Sequence, residues 1–509
     1  MKTHVFALIA IISIITACQT TGVDEQKNEQ EKIRTVILTD MTHDDGNSLI
    51  RYLYYASEFD LEALIITNQL PDFNHDDTGP WQKGMSILDA YQRELPQLRK
   101  HDPDLPAYED LLAVTKQGRG ALPIIWLTNT LEFSNKIADR YVTSSWDSVY
   151  FHDWIGEGLT PHGEPKDSDG SEFLVEVFEK DDERPIYVQA WGGTITFVQA
   201  LHRYRQKHGD EKFQALLPKI HLFGILFQDI SFEYFASFEK MKNETCAGFG
   251  TARPTYGEEP VELGKVLYDN GHFWHYVWNS DPNWKKPLAS KDVNGHGPMS
   301  NIYDNGGEGD TPAFLYILSS VFGLNDYNDP TQGSWGSMFK PMGSSFPDKY
   351  YSTCEPVQEG LERADPDASV DMDQNELVRW VPDATNSFKN RLLWSVKEPG
   401  EVNREPVAVL NGDESNKILN IIAKPGEVIT LDASGSFDPD NDELTFNWFR
   451  YKTADNFAGE FEIIDPTNPL QQISVPQDFS NANIHLVLEV RDSGEPKLVT
   501  YRRVIVESE

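Results

Sequence analysis

An apolar, β-branched run, Thr35-Val36-Ile37-Leu38-Thr39, stops at Asp40, and a second apolar run spans residues 61–67. Short apolar runs bounded by polar turns read as buried strands. Between them, residues 48–57 place Leu49, Ile50, Leu53 and Tyr54 on one stripe of a helix. Strand, helix and strand in that order make a β-α-β unit, whose two strands lie parallel because the connection crosses one face of the sheet. Residues 123–127, 185–190 and 219–227 are further strand candidates, and a helix is expected over 194–206 after the turn at Gly192-Gly193. The expected fold class is α/β: an open, mostly parallel sheet flanked by helices, with ligands held beyond the carboxyl ends of the strands.

The texture changes near residue 397. Residues 397–405 are rich in proline, glycine and charge, as a linker would be. Beyond them, 428–431, 444–449, 484–490 and 499–506 are strand-like and separated by turn clusters. Residues 33–396 are therefore expected to form the α/β domain, and 406–509 an all-β, immunoglobulin-like sandwich with Trp448 in its core.

The first residues carry a different message. Met1-Lys2 is followed by an apolar stretch over 5–15 that is too short for a membrane span, then by Ile15-Thr16-Ala17-Cys18. Small residues before a cysteine read as a signal peptide, residues 1–17, ending in a lipobox, with lipidation of Cys18 and a polar tether over 18–32. Gln19 carries no signal for inner-membrane retention, so a periplasmic or cell-surface, outer-membrane lipoprotein is expected, attached to the membrane by its lipid alone. A net charge of −37 excludes a nucleic-acid partner, which needs a basic face. Cys246 and Cys354 pair in an oxidising compartment or remain buried thiols.

The chemistry is concentrated after the first strand, in Asp40-Met41-Thr42-His43-Asp44-Asp45. Carboxylates crowded this closely repel unless a cation neutralises them, and hard oxygen ligands favour calcium or magnesium. A bound water acidified by such an ion, and a carboxylate to take its proton, would make a hydrolytic site. An Asp-rich turn in which Asp44 or Asp45 caps the following helix fits the same residues.

Thr39-Asp40-x-x-x-Asp44-Asp45 resembles the D-x-x-x-D-D signature of nucleoside hydrolases, and Thr67-Asn68 stands where that family has a sugar-binding asparagine. Trp191-Gly192-Gly193-Thr194-Ile195-Thr196 and Gly307-Glu308-Gly309-Asp310-Thr311-Pro312 resemble its later motifs. A fuller resemblance covers nearly the whole chain. It is to the nucleoside-hydrolase-like family often called "cellulose-binding protein", with its C-terminal immunoglobulin-like domain. The segments that carry it include Asp45-x-x-Ser48-Leu49-Ile50-Arg51, Asp167-Ser168-Asp169-Gly170-Ser171, Trp191-Gly192-Gly193, Gln228-Asp229 and Gly333-Ser334-Trp335-Gly336.

The resemblance implies that Asp40, Asp45 and Asp310 ligate calcium, with a main-chain carbonyl near Ile195, and that Asp40 is also the general base. Asp44 and Asn68 would hold sugar hydroxyls, and Trp191, Gln228 and Asp229 fall among the expected substrate contacts. Asp310 is also placed to cap the helix that follows it, and Trp81, Trp191 and Trp335 either stack on a sugar or pack in the core. His43, His162 and His296 are candidates for protonating the leaving group. The expected function is an exported, calcium-dependent hydrolase of glycosyl bonds acting on a carbohydrate or glycoside. The alternatives are a non-catalytic carbohydrate-binding lipoprotein and a lyase or dehydratase on uronic sugars.

Overall fold

Strand β1 (Ile33–Thr39) is buried along its whole length. Its residues alternate between two cores: Ile33 and Ile37 belong to one apolar cluster, Val36 and Leu38 to the other. A strand buried on both faces lies inside a sheet that is covered on each side. The computed structural model has that arrangement; it describes residues 31–41, 43–67, 79–120, 154–160, 163, 165–225, 231, 234–235, 261–269, 290–304, 307–341, 348–352 and 376–509. After β1 come α1 (His43–Leu53), β2 (Phe59–Ile66), α2 (Gly79–Leu98), α3 (Tyr108–Val114) and β3 (Thr115–Gln117). Then follow α4 (Asp169–Phe178), β4 (Ile186–Ala190), α5 (Thr194–Leu216), β5 (Ile220–Ile225) and β6 (Lys265–Asp269). Next are α6 (Thr311–Val321), β7 (Phe339–Pro341), β8 (Lys349–Ser352) and α7 (Glu376–Leu393).

Among the described residues these strands make one eight-stranded sheet of order β3-β2-β1-β4-β5-β6-β8-β7. Every neighbouring pair is parallel except β7–β8. The order runs outward in both directions from β1 and β4, so the topological switch point lies between their carboxyl ends, where such sheets hold ligands. Apolar residues of α1, α2, α6 and α7 cover one face, and those of α4 and α5 cover the other. Two helices differ from the sequence expectation. Helix α1 starts at His43, so Asp44 and Asp45 sit inside its first turn instead of capping it from outside. Helix α5 runs on to Leu216, past a kink at Gly209 (φ 79°) that a side chain would resist. The strand expected over 123–127 lies outside the described residues, as do Cys18, Cys246 and Cys354.

The C-terminal region contains β9 (Leu419–Ala423), β10 (Val428–Asp432), β11 (Thr445–Arg450), β12 (Leu470–Ser474), β13 (Asn483–Arg491) and β14 (Val499–Ser508). A β11-β13-β14-β9 sheet faces a β10-β12 pair. Ile429, Leu431 and Ile473 from the smaller sheet pack with Trp448, Leu486, Leu488 and Val504 from the larger, which is the core of a sandwich. Strand β9 is parallel to β14; the other pairings are antiparallel.

The sandwich is not a loosely strung module, since Ile33–Glu509 form one compact unit. Arg491 grips both carboxylate oxygens of Asp383 on α7, at 2.5 and 3.0 Å, and the Tyr501 hydroxyl donates to the same group at 2.7 Å. At the far end of α6 the carbonyls of Val321, Phe322 and Leu324 accept from Asn416 Nδ2, Tyr501 N and Arg503 Nε. The last carbonyls of a helix have no partner within it, and a guanidinium there also complements the helix dipole. The stretch 397–405 is held as well: Asn390 Nδ2 donates to Asn403 O at 2.9 Å, and Asn403 Nδ2 to Asp492 Oδ2 at 3.0 Å.

Candidate metal centre

The site begins where β1 ends. Asp40 follows Thr39 and is half-buried, and Met41 takes a left-handed φ of 54° that turns the chain into α1. Thr39 stitches this turn together: its hydroxyl oxygen accepts from Met41 N at 3.1 Å and its hydroxyl donates to Asp45. Across the switch point, Trp191 N and Gly192 N both donate to Leu38 O, at 2.9 and 3.3 Å. Two glycines are required here. A Cβ on Gly192 would come within 2.6 Å of Asp40 Oδ2, and one on Gly193 (φ 64°) within 2.5 Å of the Thr67 side chain.

Asp310 reaches the same place from a distant part of the sequence, just ahead of α6. Asp44, Asn47, Ser48 and Arg51 are spaced to share one stripe of α1, and all four are buried. Asn47 Nδ2 donates to Gly307 O at 2.8 Å and Asp304 O at 3.1 Å, while Asn47 Oδ1 accepts from Asp304 N at 3.0 Å. Ser48 Oγ and Thr311 Oγ1 are 2.9 Å apart. Arg51 Nη1 pairs with Glu308 Oε2 at 2.7 Å, and Arg51 Nη2 donates to Ala384 O on α7. Sequence reasoning gave Asn47 no role and quoted Ser48 and Arg51 only as part of a family-like segment, because it followed the apolar stripe of the helix. The signal was present in Asp44-x-x-Asn47-Ser48-x-x-Arg51, a second, polar stripe at helical spacing.

The result is a set of three buried carboxylates. Asp44, Asp45 and Asp310 each present an oxygen, and these oxygens lie within 4.8 Å of one another. Burial, and then the charges of Asp44, Asp45 and Asp40, push the Asp310 carboxyl well above the usual carboxylate range. Asp310 Oδ1 is buried with no hydrogen-bond partner among the described residues. Such crowding is costly without a cation. Two oxygens on opposite sides of a calcium ion, each about 2.3–2.6 Å from it, would be about 5 Å apart. The residues therefore fit a hard divalent cation. Asp310 occupies the N-cap position of α6, and its side chain makes no capping hydrogen bond there.

The close set differs from the expected one: Asp44 stands in it, and Asp40 lies outside it while still acting electrostatically on Asp310. At 2% exposure Asp44 offers little surface to a sugar hydroxyl. Ile195 lies in the first turn of α5 with its side chain in the core, which leaves its main chain as the only possible donor. Trp191 is fully buried and cannot stack on a sugar; Trp335 packs against Phe322, ring centroids 4.9 Å apart, so it too is a core residue. Trp81 is half-buried against the same core. His296 Nδ1 lies 2.7 Å from Val293 O, a local structural bond. Asn68, Gln228, Asp229 and His162 lie outside the described residues, as does the side chain of His43.

Comparison with known proteins bears on the fold and the family. No curated protein matches the chain at a significant level. A solved nucleoside hydrolase-related hypothetical protein of Saccharophagus degradans, described as associated with carbohydrate metabolism, is similar at 25% identity with a TM-score of 0.69. The similarity covers 94% of this chain and 100% of that one. Residues 428–508 match the family described as cellulose-binding protein Sde0182, C-terminal domain. Residues 34–339, more than half of the chain and the part that contains the switch point and all three carboxylates, match a second family, and the chain belongs to it: cellulose-binding Sde182, nucleoside hydrolase-like domain.

Proposed function

We propose that this protein is an exported, metal-dependent hydrolase of glycosyl bonds that serves carbohydrate scavenging. The observation that carries this reading is the convergence of Asp44, Asp45 and Asp310 at the switch point, with Asp40 beside them. A divalent cation bound there, calcium in the first place and magnesium as the alternative, would act as a Lewis acid that makes water a nucleophile near neutral pH. Asp44, Asp45 and Asp310 would hold it through carboxylate oxygens, and the main chain near Ile195 would be a further donor. Asp40, half-buried and outside the close set, is the general base: one of its oxygens takes the proton from the attacking water. Asn68, Gln228 and Asp229 are the proposed sugar contacts. Cys18 carries the lipid that places the protein on the outer membrane, facing the periplasm or the cell surface. The wording of the matching family and the carbohydrate association of the solved relative favour a carbohydrate over a nucleoside.

The same wording, "cellulose-binding", favours a second reading, in which the protein holds a carbohydrate without turning it over. Incubation with calcium and a panel of oligosaccharides and nucleosides separates the two. Turnover by the wild type that falls at least about 100-fold in Asp40→Asn supports the hydrolase. Carbohydrate binding with no released product supports the second reading. Turnover unchanged in Asp40→Asn would remove Asp40 as the base.

A further inference from the structure

Three carboxylates from two elements can meet a cation well only if the elements are held in register before it arrives. Asp44 and Asp45 are in the first turn of α1, and Asp310 stands just ahead of α6. Backbone pairing does not tie these elements together, since both are helices that lie on the sheet. What ties them is the polar stripe of α1. Asn47 closes a reciprocal set of bonds with Asp304 and also holds the Gly307 carbonyl. Arg51 forms an ion pair with Glu308 in which the side chains are 2% and 1% exposed. Its second bond, to Ala384 O, fixes the guanidinium to α7, and its carbon lies 4.9 Å from the centre of the Phe388 ring. The next residue back on α7, Asp383, is the one gripped by Arg491 and Tyr501 of the sandwich. The turn that bears Asp310 is thus clamped to α1 and, through Arg51, braced against α7 and the C-terminal region.

We propose that Asn47 and Arg51 are positioning residues of the candidate metal centre, locking Asp304 and residues 307–311 onto α1 so that Asp44, Asp45 and Asp310 keep their spacing. This rests on the metal reading above. Neither side chain needs to touch the ion: each acts through main-chain or carboxylate atoms beside Asp310. Partners that orient ligands in this way are worth about 10–100-fold in metal affinity.

The test is calcium binding by the full chain, measured by titration calorimetry and by the rise in melting temperature on moving from EDTA to calcium. Wild type, Asn47→Ala and Arg51→Lys are compared; the lysine keeps the charge but replaces the two-nitrogen fork that spans Glu308 and Ala384 O with a single ammonium. A purely structural role lowers the melting temperature equally with and without calcium and leaves the increment intact. The positioning role shrinks the increment and weakens calcium binding at least about tenfold in both variants. Should Arg51→Lys fail to fold, Asn47→Ala decides alone, because it removes no charge. Wild-type affinity in a folded variant overturns the inference and leaves the metal reading standing. A wild type that shows no increment with calcium, magnesium or manganese overturns the metal reading, and this inference with it.

Discussion

The proposed mechanism assigns Asp310 and Asp40 different work, and single substitutions can separate them. Asp310 is fully enclosed beside two other carboxylates, so Asp310→Asn should abolish the calcium-dependent rise in melting temperature. Asp40 lies against Gly192, where a methyl group would meet its carboxylate at 2.6–2.7 Å. Gly192→Ala should therefore displace the proposed base while leaving the close set of carboxylates in place. A misplacement near 1 Å can cost about 100-fold in rate. The expected outcome is turnover reduced by at least about tenfold with calcium affinity within about twofold of wild type, read by kinetics and calorimetry together. An equal loss of both would place Asp40 among the ion's ligands.

At the scale of elements, buried histidines make the strands sensitive to acid. His221 on β5 has its pKa pushed down to about 4 by burial, with Lys265 adding to the effect. His485 on β13 is lowered to about 3, again by burial first and then by Arg503. Between those values and the ordinary 6.5, the unfolded chain binds protons that the folded chain refuses. Stability from these groups is thus complete above about pH 6.5 and is lost as pH falls toward 4 and below. Urea midpoints at pH 7 and pH 4.5 should differ less for His221→Leu than for the wild type; an equal difference would remove His221 as a contributor. Arg503 also holds the segment after α6, through the carbonyls of Leu324 and Gln332. Arg503→Met leaves both carbonyls buried without their donor and should cost at least about 2 kcal/mol in denaturant unfolding.

For the whole molecule, the sandwich and the α/β part share side chains that neither could leave exposed. Trp335 Nε1 donates to Tyr501 OH at 3.2 Å, and Trp380 packs edge-on against Tyr501 at 5.6 Å. Both tryptophans are buried. Calorimetry should therefore show one transition for residues 33–509, and proteolysis should not release the sandwich by cutting in 397–405. Two separated transitions would show that the interface contributes little.

Much of this was legible from residue pattern, and the rest was not, for definite reasons. Apolar runs such as 35–39 and 186–190 announce strands because a strand buried on both faces is apolar along nearly its whole length, and a short continuous run between polar turns carries that signal locally. The Gly-Gly turn and the Asp-rich turn after β1 were visible for the same reason, since backbone conformation and charge crowding are local. The meeting of Asp310 with Asp44 and Asp45 has no local period to carry it. It depends on the crossovers that bring α6 beside α1, where Asn47 bonds the Gly307 carbonyl and Arg51 pairs with Glu308. Tertiary packing also decided that Trp191 is core and that 397–405 is bound down, because burial and partner choice depend on what the rest of the fold places opposite each group. The sequence by itself determined the parallel α/β sheet and the acidic turn at its carboxyl edge; only the three-dimensional structure decided which carboxylates close on one point, because that point is shared by segments that are neighbours in space alone.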